Sequence, residues 1–580
     1  MGRLASIGLW AVAVAFAQQS RVLFISLDGL GFKNLTEDPV ARELTSLHHL
    51  AKRGFLAPLQ TSFPSKTAPG HAALFTGAWA GVNGIFSNKN PRTPRSDYGL
   101  QETITGFRSD TLTAEPIWTA AARQGVSAVA YQATQMYPFN KLSAGLGNSP
   151  APTVLNGYQS LMLAPHRVIR QRDVKEIQPG VYQWTDGPLV FRLERLSDGL
   201  RVSSGSSMIL KATPLETGPP RKRLLARNFS DVLPVEANGI RTGVYFRLFE
   251  YSSSDFLLYR TSAQELASSG VPFDLQASDG PFVGNSALSL YERGMFGKPF
   301  VEGGDGTAER RYLETLELVV RQLTRHMLRL DERMKPRLLV GYYPVIDDLE
   351  HIWFGLASTG FSGLNPYRAW GYAALDEGLK PLIQRFAKHS ILLSSDHGMS
   401  GITHEIRMGA LLSDLGFAKE TVVSNSTCLF INTTDWKQGI VRPEDRAGIV
   451  DELEAKLTAQ GLFTRFYRQP DLSERFGLQG GNAPDLCFDV KPFYYPTEGS
   501  RGLAVSPYPY ARGEHGFDPT RKDMESYVLA SGRNILKRKS PGQVRFRAID
   551  VASIAANLLG ILPPAQSVGK PPPGMLAAHR

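Results

Sequence analysis

Runs of consecutive apolar residues alternate with stretches of helical spacing along much of the chain. "RVLFISLDG" (21–29) is apolar up to Asp28 and Gly29, the pattern of a strand buried on both faces that opens into a loop. "ARELTSLHHLAKRG" (41–54) follows with helical periodicity and a glycine stop. "AEPIWTAAARQG" and "VSAVAYQ" repeat the helix–glycine–strand order between 114 and 132. Further on, the amphipathic stretch "RRYLETLELVVRQLTRHMLRLDERM" precedes the strand "RLLVGYYP", and "YAALDEGLKPLIQRFAKH" precedes "SILLSSDHG". "AIDVASIAANLLGI" predicts one more helix near the C-terminus. Helices alternating with apolar strands imply an α/β fold, a mostly parallel sheet covered on both faces by helices.

Between residues 151 and 305 this rhythm breaks. "GPLVFRLERLS", "SMILKATPL", "TGVYFRLFEYSS" and "SDFLLYRTSA" are short, rich in aromatic and branched residues, and separated by Gly, Ser, Asp and Pro. That is antiparallel β text. The expected organisation is an α/β domain in two parts, 18–150 and 306–565, interrupted by a β-rich insertion at 151–305 and followed by a loose Pro-rich tail at 566–580. No internal repeat is visible.

The N-terminus, "MGRLASIGLWAVAVAFAQQS", has one arginine, an apolar run ending in Ala15-Phe16-Ala17, and then polar residues. This is the layout of a secretory signal peptide at 1–17, cleaved after Ala17, with an uncleaved anchor as the other reading. The mature chain is expected to be secreted or periplasmic and to have no transmembrane segment, because no run approaches the ~20 apolar residues of a span.

Composition adds constraints. The 580 residues are 42% hydrophobic and 20% charged, a globular balance. The net charge of +10, from 64 basic and 54 acidic residues, falls to +9 once Arg3 is removed with the leader. The densest basic run, "PPRKRLLAR" near residue 220, lacks interleaved aromatics, so nucleic-acid-specific binding is not expected. A basic balance does favour a small anionic substrate. The two cysteines, Cys428 and Cys487, are too few for a thiolate metal site. Whether they pair is left open by the sequence.

Candidate chemistry gathers just beyond the predicted strands, where ligand sites of open α/β sheets lie. Asp28 ends the first strand. Asp347 and His351, in "YPVIDDLEHIWFG", sit at i and i+4, on one face of a helical turn. Asp396 and His397, in "LLSSDHGMSG", end another strand, and His515 lies in the Gly-flanked loop "ARGEHGFDP". Three Asp and three His suit two divalent ions, zinc first, with manganese or iron also compatible. Two metals about 4 Å apart clamp the attacking and leaving oxygens of an in-line displacement. Thr67, in "SFPSKTAPGHAALFTG", is the candidate nucleophile, because a metal on its oxygen would create an alkoxide without a histidine base. Asn88, in "GVNGIFSNKN", is placed to hydrogen-bond a phosphoryl oxygen. Lys66 is either close to the phosphate or a cover for its loop, and His71 is read as a structural hydrogen-bonding residue.

The order of these motifs resembles that of the alkaline phosphatase superfamily, and within it the nucleotide pyrophosphatase/phosphodiesterase (type I phosphodiesterase) family. "KTAPGHAALFTG" and "SDHGM" are the most specific matches. The resemblance implies an alkaline-phosphatase-like fold, two zinc ions and a phosphothreonine intermediate at Thr67. It assigns Asp28, Thr67, Asp396 and His397 to one zinc, Asp347, His351 and His515 to the other, and Asn88 to the phosphoryl oxygen. Two positions depart from the family pattern. Ala68 stands where an aromatic usually follows the nucleophile, and Glu350 stands where Gly is common before His351; Asp348 offers an alternative ligand at i,i+3. The Ser-x-Lys-x-Arg stretch of related threonine monoesterases is replaced by "VSAVAYQATQMYP". The expected activity is therefore phosphodiester hydrolysis. A phosphomonoesterase or phosphonate hydrolase on the same site is the enzymatic alternative, and a non-catalytic binding protein the alternative of another class.

Overall fold

The computed structural model describes residues 21–142, 146–221, 223–532, 535–537 and 546–576. The signal peptide expected at 1–17 lies outside them. The centre of the described residues is a nine-stranded sheet in the order Ala267–Ser269, Thr153–Asn156, Ala128–Tyr131, Leu338–Tyr343, Val22–Leu27, Ser390–Ser394, Ser526–Ser531, Phe55–Gln60 and Phe546–Arg547. The central strand Val22–Leu27 pairs parallel on both sides, Ser26 opposite Tyr342 on one and Ser394 on the other. The fold is the expected mixed α/β class with a mostly parallel sheet. Two strands run against the rest: Ser526–Ser531, antiparallel to both neighbours, and the edge strand Ala267–Ser269.

Every residue of Val22–Leu27 is buried, because both faces of the sheet are covered. Leu23, Ile25 and Leu27 face one core, filled by the helices Thr45–Arg53, Thr307–Met334 and Asn365–Arg385. Val22 and Phe24 face the other, filled by Thr67–Thr76, Ile117–Arg123 and Asp550–Leu559. The period-two alternation of a strand thus divides one apolar run between two helical layers. Each such side chain contributes roughly 1.5–3 kcal/mol by burial.

Further antiparallel sheets surround this centre. A five-stranded meander runs from Lys175–Gln178 to Ser206–Lys211. Its inner face, with Trp184, Phe191 and Leu200, packs on Phe246 and Leu258 of a neighbouring three-stranded sheet in a core of its own. Antiparallel text was expected in this region. Two more sheets lie between Ser400 and Glu514. One of them joins Phe493–Thr497, Ser400–Arg407 and Val505–Glu514, and delivers the chain to His515. In the other, Cys428 and Cys487 stand opposite each other on adjacent antiparallel strands and form a disulfide.

The Pro-rich tail is not loose over its described part. Val568 N–H donates to the carbonyl of Gly77, Lys570 N–H to Asp550, and Met575 is fully buried in the second core. Proline content removes donors but does not stop a segment from packing its few apolar residues.

Two predictions follow from buried features of the fold. The disulfide closes a separation of 59 residues, for which loop entropy gives about 4 kcal/mol. The double variant Cys428→Ser, Cys487→Ser should lower the urea midpoint accordingly. His326 is buried with its ring nitrogens on Tyr131 Oη and the Gly280 carbonyl, and burial pushes its pKa down to about 4. A depressed histidine favours folding above its unfolded value of about 6.5, and that contribution, roughly 3 kcal/mol, is lost as pH falls from 6.5 towards 4. Unfolding curves of His326→Gln should be correspondingly less steep in pH across that window.

Candidate active site

Five chain segments meet at the carboxyl edge of the parallel strands. Asp28 directly follows Val22–Leu27, with its amide on the Tyr343 carbonyl at 2.9 Å. Gly29 then turns with φ +67°, and a Cβ there would lie 2.8 Å from three atoms of Asp347. Only glycine combines that conformation with that approach. Asp347 and His351 lie in the first turns of the helix Val345–Ser358. Asp396 and His397 follow Ser390–Ser394, and His515 follows Val505–Glu514. Thr67 opens the helix Thr67–Thr76, after Lys66 at its N-cap. Gly70 lets that helix come against Asp396, since a Cβ would lie 2.9 Å from both Cβ and O of that residue.

The predicted ligand residues come together as two triads, Asp28–Asp396–His397 and Asp347–His351–His515, in each of which the candidate donor atoms lie within 4.8 Å of one another. His397 Nε2 is 3.1 Å from Asp396 Oδ2, 3.4 Å from Asp28 Oδ1 and 3.3 Å from Thr67 Oγ1. His351 Nε2 is 3.3 Å from Asp347 Oδ2, and His515 Nε2 is 3.8 Å from Asp347 Oδ1. The triads adjoin, with the His397 and His515 rings stacked at 3.6 Å.

Hydrogen bonds fix which ring nitrogen faces inward. Nδ1 of His351, His397 and His515 each lies 3.0 Å from a backbone carbonyl, of Gly513, Gly398 and Ser65 respectively. A carbonyl only accepts, so Nδ1 carries hydrogen in all three rings, and in each neutral ring the Nε2 lone pair faces carboxylate oxygens. Asp28 Oδ1, Asp347 Oδ1 and Asp396 Oδ2 are buried without a hydrogen-bond donor. Lone pairs facing orphaned carboxylate oxygens fit cations bound between them.

The electrostatics of the protein alone point the same way. Burial, then the Asp396 and Asp347 carboxylates, push the pKa of Asp28 well up. Burial opposes ionisation of Asp396 and Asp347 too, but neighbouring imidazoles hold both below the usual carboxylate range. Burial disfavours charge on His351, yet Asp347 and Glu514 hold its pKa up at about 10. Burial and the stacked His397 push His515 well down. Six such groups in one dry space cannot all take their preferred ionisation without added positive charge.

Asn88 Oδ1 accepts the Ala68 amide at 2.9 Å, so its Nδ2 hydrogens remain available beside the helix N-terminus. The Lys66 side chain is half-buried and lies across Gly516, and among the described residues its ammonium makes no hydrogen bond or ion pair. His71 Nδ1 donates to the Thr67 carbonyl at 2.9 Å and lies 3.3 Å from Asp396 Oδ2, while its Nε2 is 2.8 Å from Ser26 Oγ. Ala68 is fully buried against Ala72, Ile85 and Leu112, and a side chain on the adjoining Gly106 would already lie 3.1 Å from it. Asp348 turns away from the triads and accepts from Ser286 Oγ at 2.7 Å. Glu350 also turns away, paired with Arg368 at 2.7 Å and accepting from Tyr372.

Several supporting residues escaped the sequence reading. Tyr342 donates its hydroxyl to Asp28 Oδ2 from the neighbouring strand. Gln135 Nε2 donates to the carbonyls of Ala68 and Gly106. Their signal was pairing register, which needs the sheet order.

Two carboxylate–imidazole triads beside a hydroxyl at a helix N-terminus form a site for metal-dependent ester hydrolysis. The profile of the family described as type I phosphodiesterase / nucleotide pyrophosphatase matches residues 22–176 and 235–518, and the chain belongs to that family, within the alkaline phosphatase superfamily. It is accordingly a metal-dependent phosphoric ester hydrolase. Among solved structures, murine and human ectonucleotide pyrophosphatase/phosphodiesterase 5 are similar over 94% of this chain and 96% of theirs, at 14% identity and TM-scores of 0.46 and 0.47. An inactive form of the murine protein in complex with AMP matches at the same identity and coverage with a TM-score of 0.47. No curated protein sequence matches the chain.

Tyr342→Phe removes the hydrogen bond that orients Asp28. Chelator competition should show a bound divalent metal held about 10–100-fold more weakly, the usual effect of losing such a partner.

Proposed function

We propose that the chain is a secreted or periplasmic phosphodiesterase that uses two zinc ions and acts through a covalent phosphothreonine at Thr67. The observation that carries this reading is the pair of triads, whose inward Nε2 lone pairs and orphaned carboxylate oxygens adjoin Thr67 Oγ1. Asp28, Asp396 and His397, with Thr67, would hold one ion, and Asp347, His351 and His515 the other. Bound there, zinc supplies a lowered pKa for the Thr67 hydroxyl and positive charge for the departing oxygen.

The chain's own groups do the rest. Thr67 Oγ forms a bond to phosphorus while the bond to the alcohol oxygen breaks, and that oxygen leaves with the electron pair and takes a proton. Water then attacks the phosphothreonine, restoring the Thr67 hydroxyl and releasing the phosphate monoester of the remaining alcohol. Asn88 Nδ2, the amides at the helix N-terminus and Lys66 bind non-bridging oxygens as charge grows. His71, bonded to the Thr67 carbonyl, keeps the nucleophile at the first turn.

Charge supports a diester over a monoester. A dianion needs more cations around its oxygens. At the end of Ala128–Tyr131, where related monoesterases carry Lys and Arg, stand the neutral Gln132 and Gln135, and Gln135 spends its amide on two backbone carbonyls. Phosphomonoester or phosphonate hydrolysis is the alternative on the same site. A nucleotide substrate gains no stacking partner from the buried Ala68. The Cys428–Cys487 disulfide fits an oxidising compartment, and no helix of the described residues is long and apolar enough to cross a membrane.

Zinc-loaded protein should hydrolyse bis-nitrophenyl phosphate with a kcat/KM at least about 100-fold above that for nitrophenyl phosphate, a difference of about 2.7 kcal/mol. Thr67→Ala should abolish turnover while keeping two zinc ions per chain, and His515→Ala should retain one. A monoester preference, or full activity in Thr67→Ala, would overturn the proposal.

A further inference from the structure

The loop after Thr153–Asn156 is fastened at every turn. Gly157 N–H donates to Gln132 Oε1 at 2.8 Å, Gln159 N–H to Asn156 Oδ1 at 2.8 Å, and Gln264 Nε2 donates to the Gly157 carbonyl. The residue this loop presents is Tyr158. Its ring stands edge-on to Tyr342 at 5.8 Å and to Phe282 at 4.9 Å, and Tyr342 in turn bonds Asp28. Yet the Tyr158 hydroxyl is buried with no hydrogen-bond partner, and so is Nε2 of Gln132, whose Oε1 anchors the same loop. Two buried donors without acceptors are costly, about 1–3 kcal/mol each, and neither is needed to hold the loop. On the same side of the site, Asp348 Oδ2 takes both bonds from Ser286, leaving Oδ1 for another donor. Burial and the carboxylates of Asp348 and Asp28 push the Tyr158 pKa up, so the phenol is a donor at every working pH.

Resting on the phosphodiesterase reading, we infer that Tyr158 is a substrate-contacting residue whose hydroxyl, with Gln132 Nε2, binds the alcohol part of the diester, and that this alcohol is a polyol. The chemistry of the surroundings selects the class. Tyr158 and Gln132 have donors to give, whereas Asp348 Oδ1 can accept one. An aliphatic hydroxyl is both at once. A second phosphate, as in a pyrophosphate, offers acceptors only and would face Asp348 without a bond. The rings of Tyr158, Phe282 and Tyr342 line the same side and suit the carbon skeleton of such an alcohol.

Glyceryl nitrophenyl phosphate and methyl nitrophenyl phosphate test this, with the zinc-loaded full chain and Tyr158→Phe. The hydroxyl has no partner in the free protein, so its removal should raise Tm or leave it in place, and should not lower it. The wild type should favour the glyceryl diester by about tenfold in kcat/KM, mostly through KM, as one hydrogen bond allows. Tyr158→Phe should lose that preference and keep its rate on the methyl diester. No glyceryl preference in the wild type, or a preference that survives in Tyr158→Phe, overturns the inference. Equal loss on both diesters with a lowered Tm also overturns it and makes Tyr158 a packing residue. If the wild type hydrolyses neither diester, it is the phosphodiesterase reading that fails.

Discussion

One electrostatic constraint governs the carboxyl edge of the sheet. Three aspartates and three inward-facing imidazole nitrogens share a space in which their atoms approach to 3.1–3.8 Å. Electron-rich groups at those distances in a dry interior are stable together only around positive charge. The structure accepts this cost by building the edge on its most rigid part. Val22–Leu27 is paired on both sides and covered on both faces, so Asp28 leaves the sheet in one direction. Gly29 and Gly70 then remove the side chains that would keep Asp347 and the Thr67 helix at a distance.

The helix Val345–Ser358, which carries Asp347 and His351, is oriented by a charge network on its other side. Glu350 is fully buried and held by Arg368 and Tyr372, and Arg368 also binds Asp38. Breaking such a network would strand a buried charge, at about 3–5 kcal/mol. Rotation of the helix is thereby opposed, and Asp347 and His351 stay turned towards His515. The departure from glycine at position 350 thus has a physical place, a buried anchor behind the metal-type residues.

Charge is spent sparingly elsewhere around Thr67. The helix N-terminus, Asn88 and Lys66 stand beside Thr67, while the end of Ala128–Tyr131 contributes neutral amides. The flanks of the β-rich region touch this edge, with Tyr158 beside Tyr342 on the way in and Ser286 on Asp348 on the way out. The five-stranded meander lies largely in the stretch 177–234 that the family match leaves out. It has its own core.

Local pattern was enough for the α/β class, because burial on both faces writes an unbroken apolar run and a covering helix writes its own period into adjacent residues. It was also enough to place Asp28, Asp396 and His397 after strands and Asp347 with His351 on one helical face. Proline content misled at the tail, whose docking rests on Gly77, Asp550 and a buried Met575. What only the tertiary structure decided are relations across long separations: the reversed strand Ser526–Ser531, the pairing of Cys428 with Cys487, the carbonyls that set each imidazole tautomer, and the placing of Tyr342, Gln135 and Tyr158 about the site. Sequence carries the period of each element and the chemistry of each side chain. Register, strand order and the partner of each buried polar atom arise only when the elements pack, because they depend mostly on residues that belong to different elements.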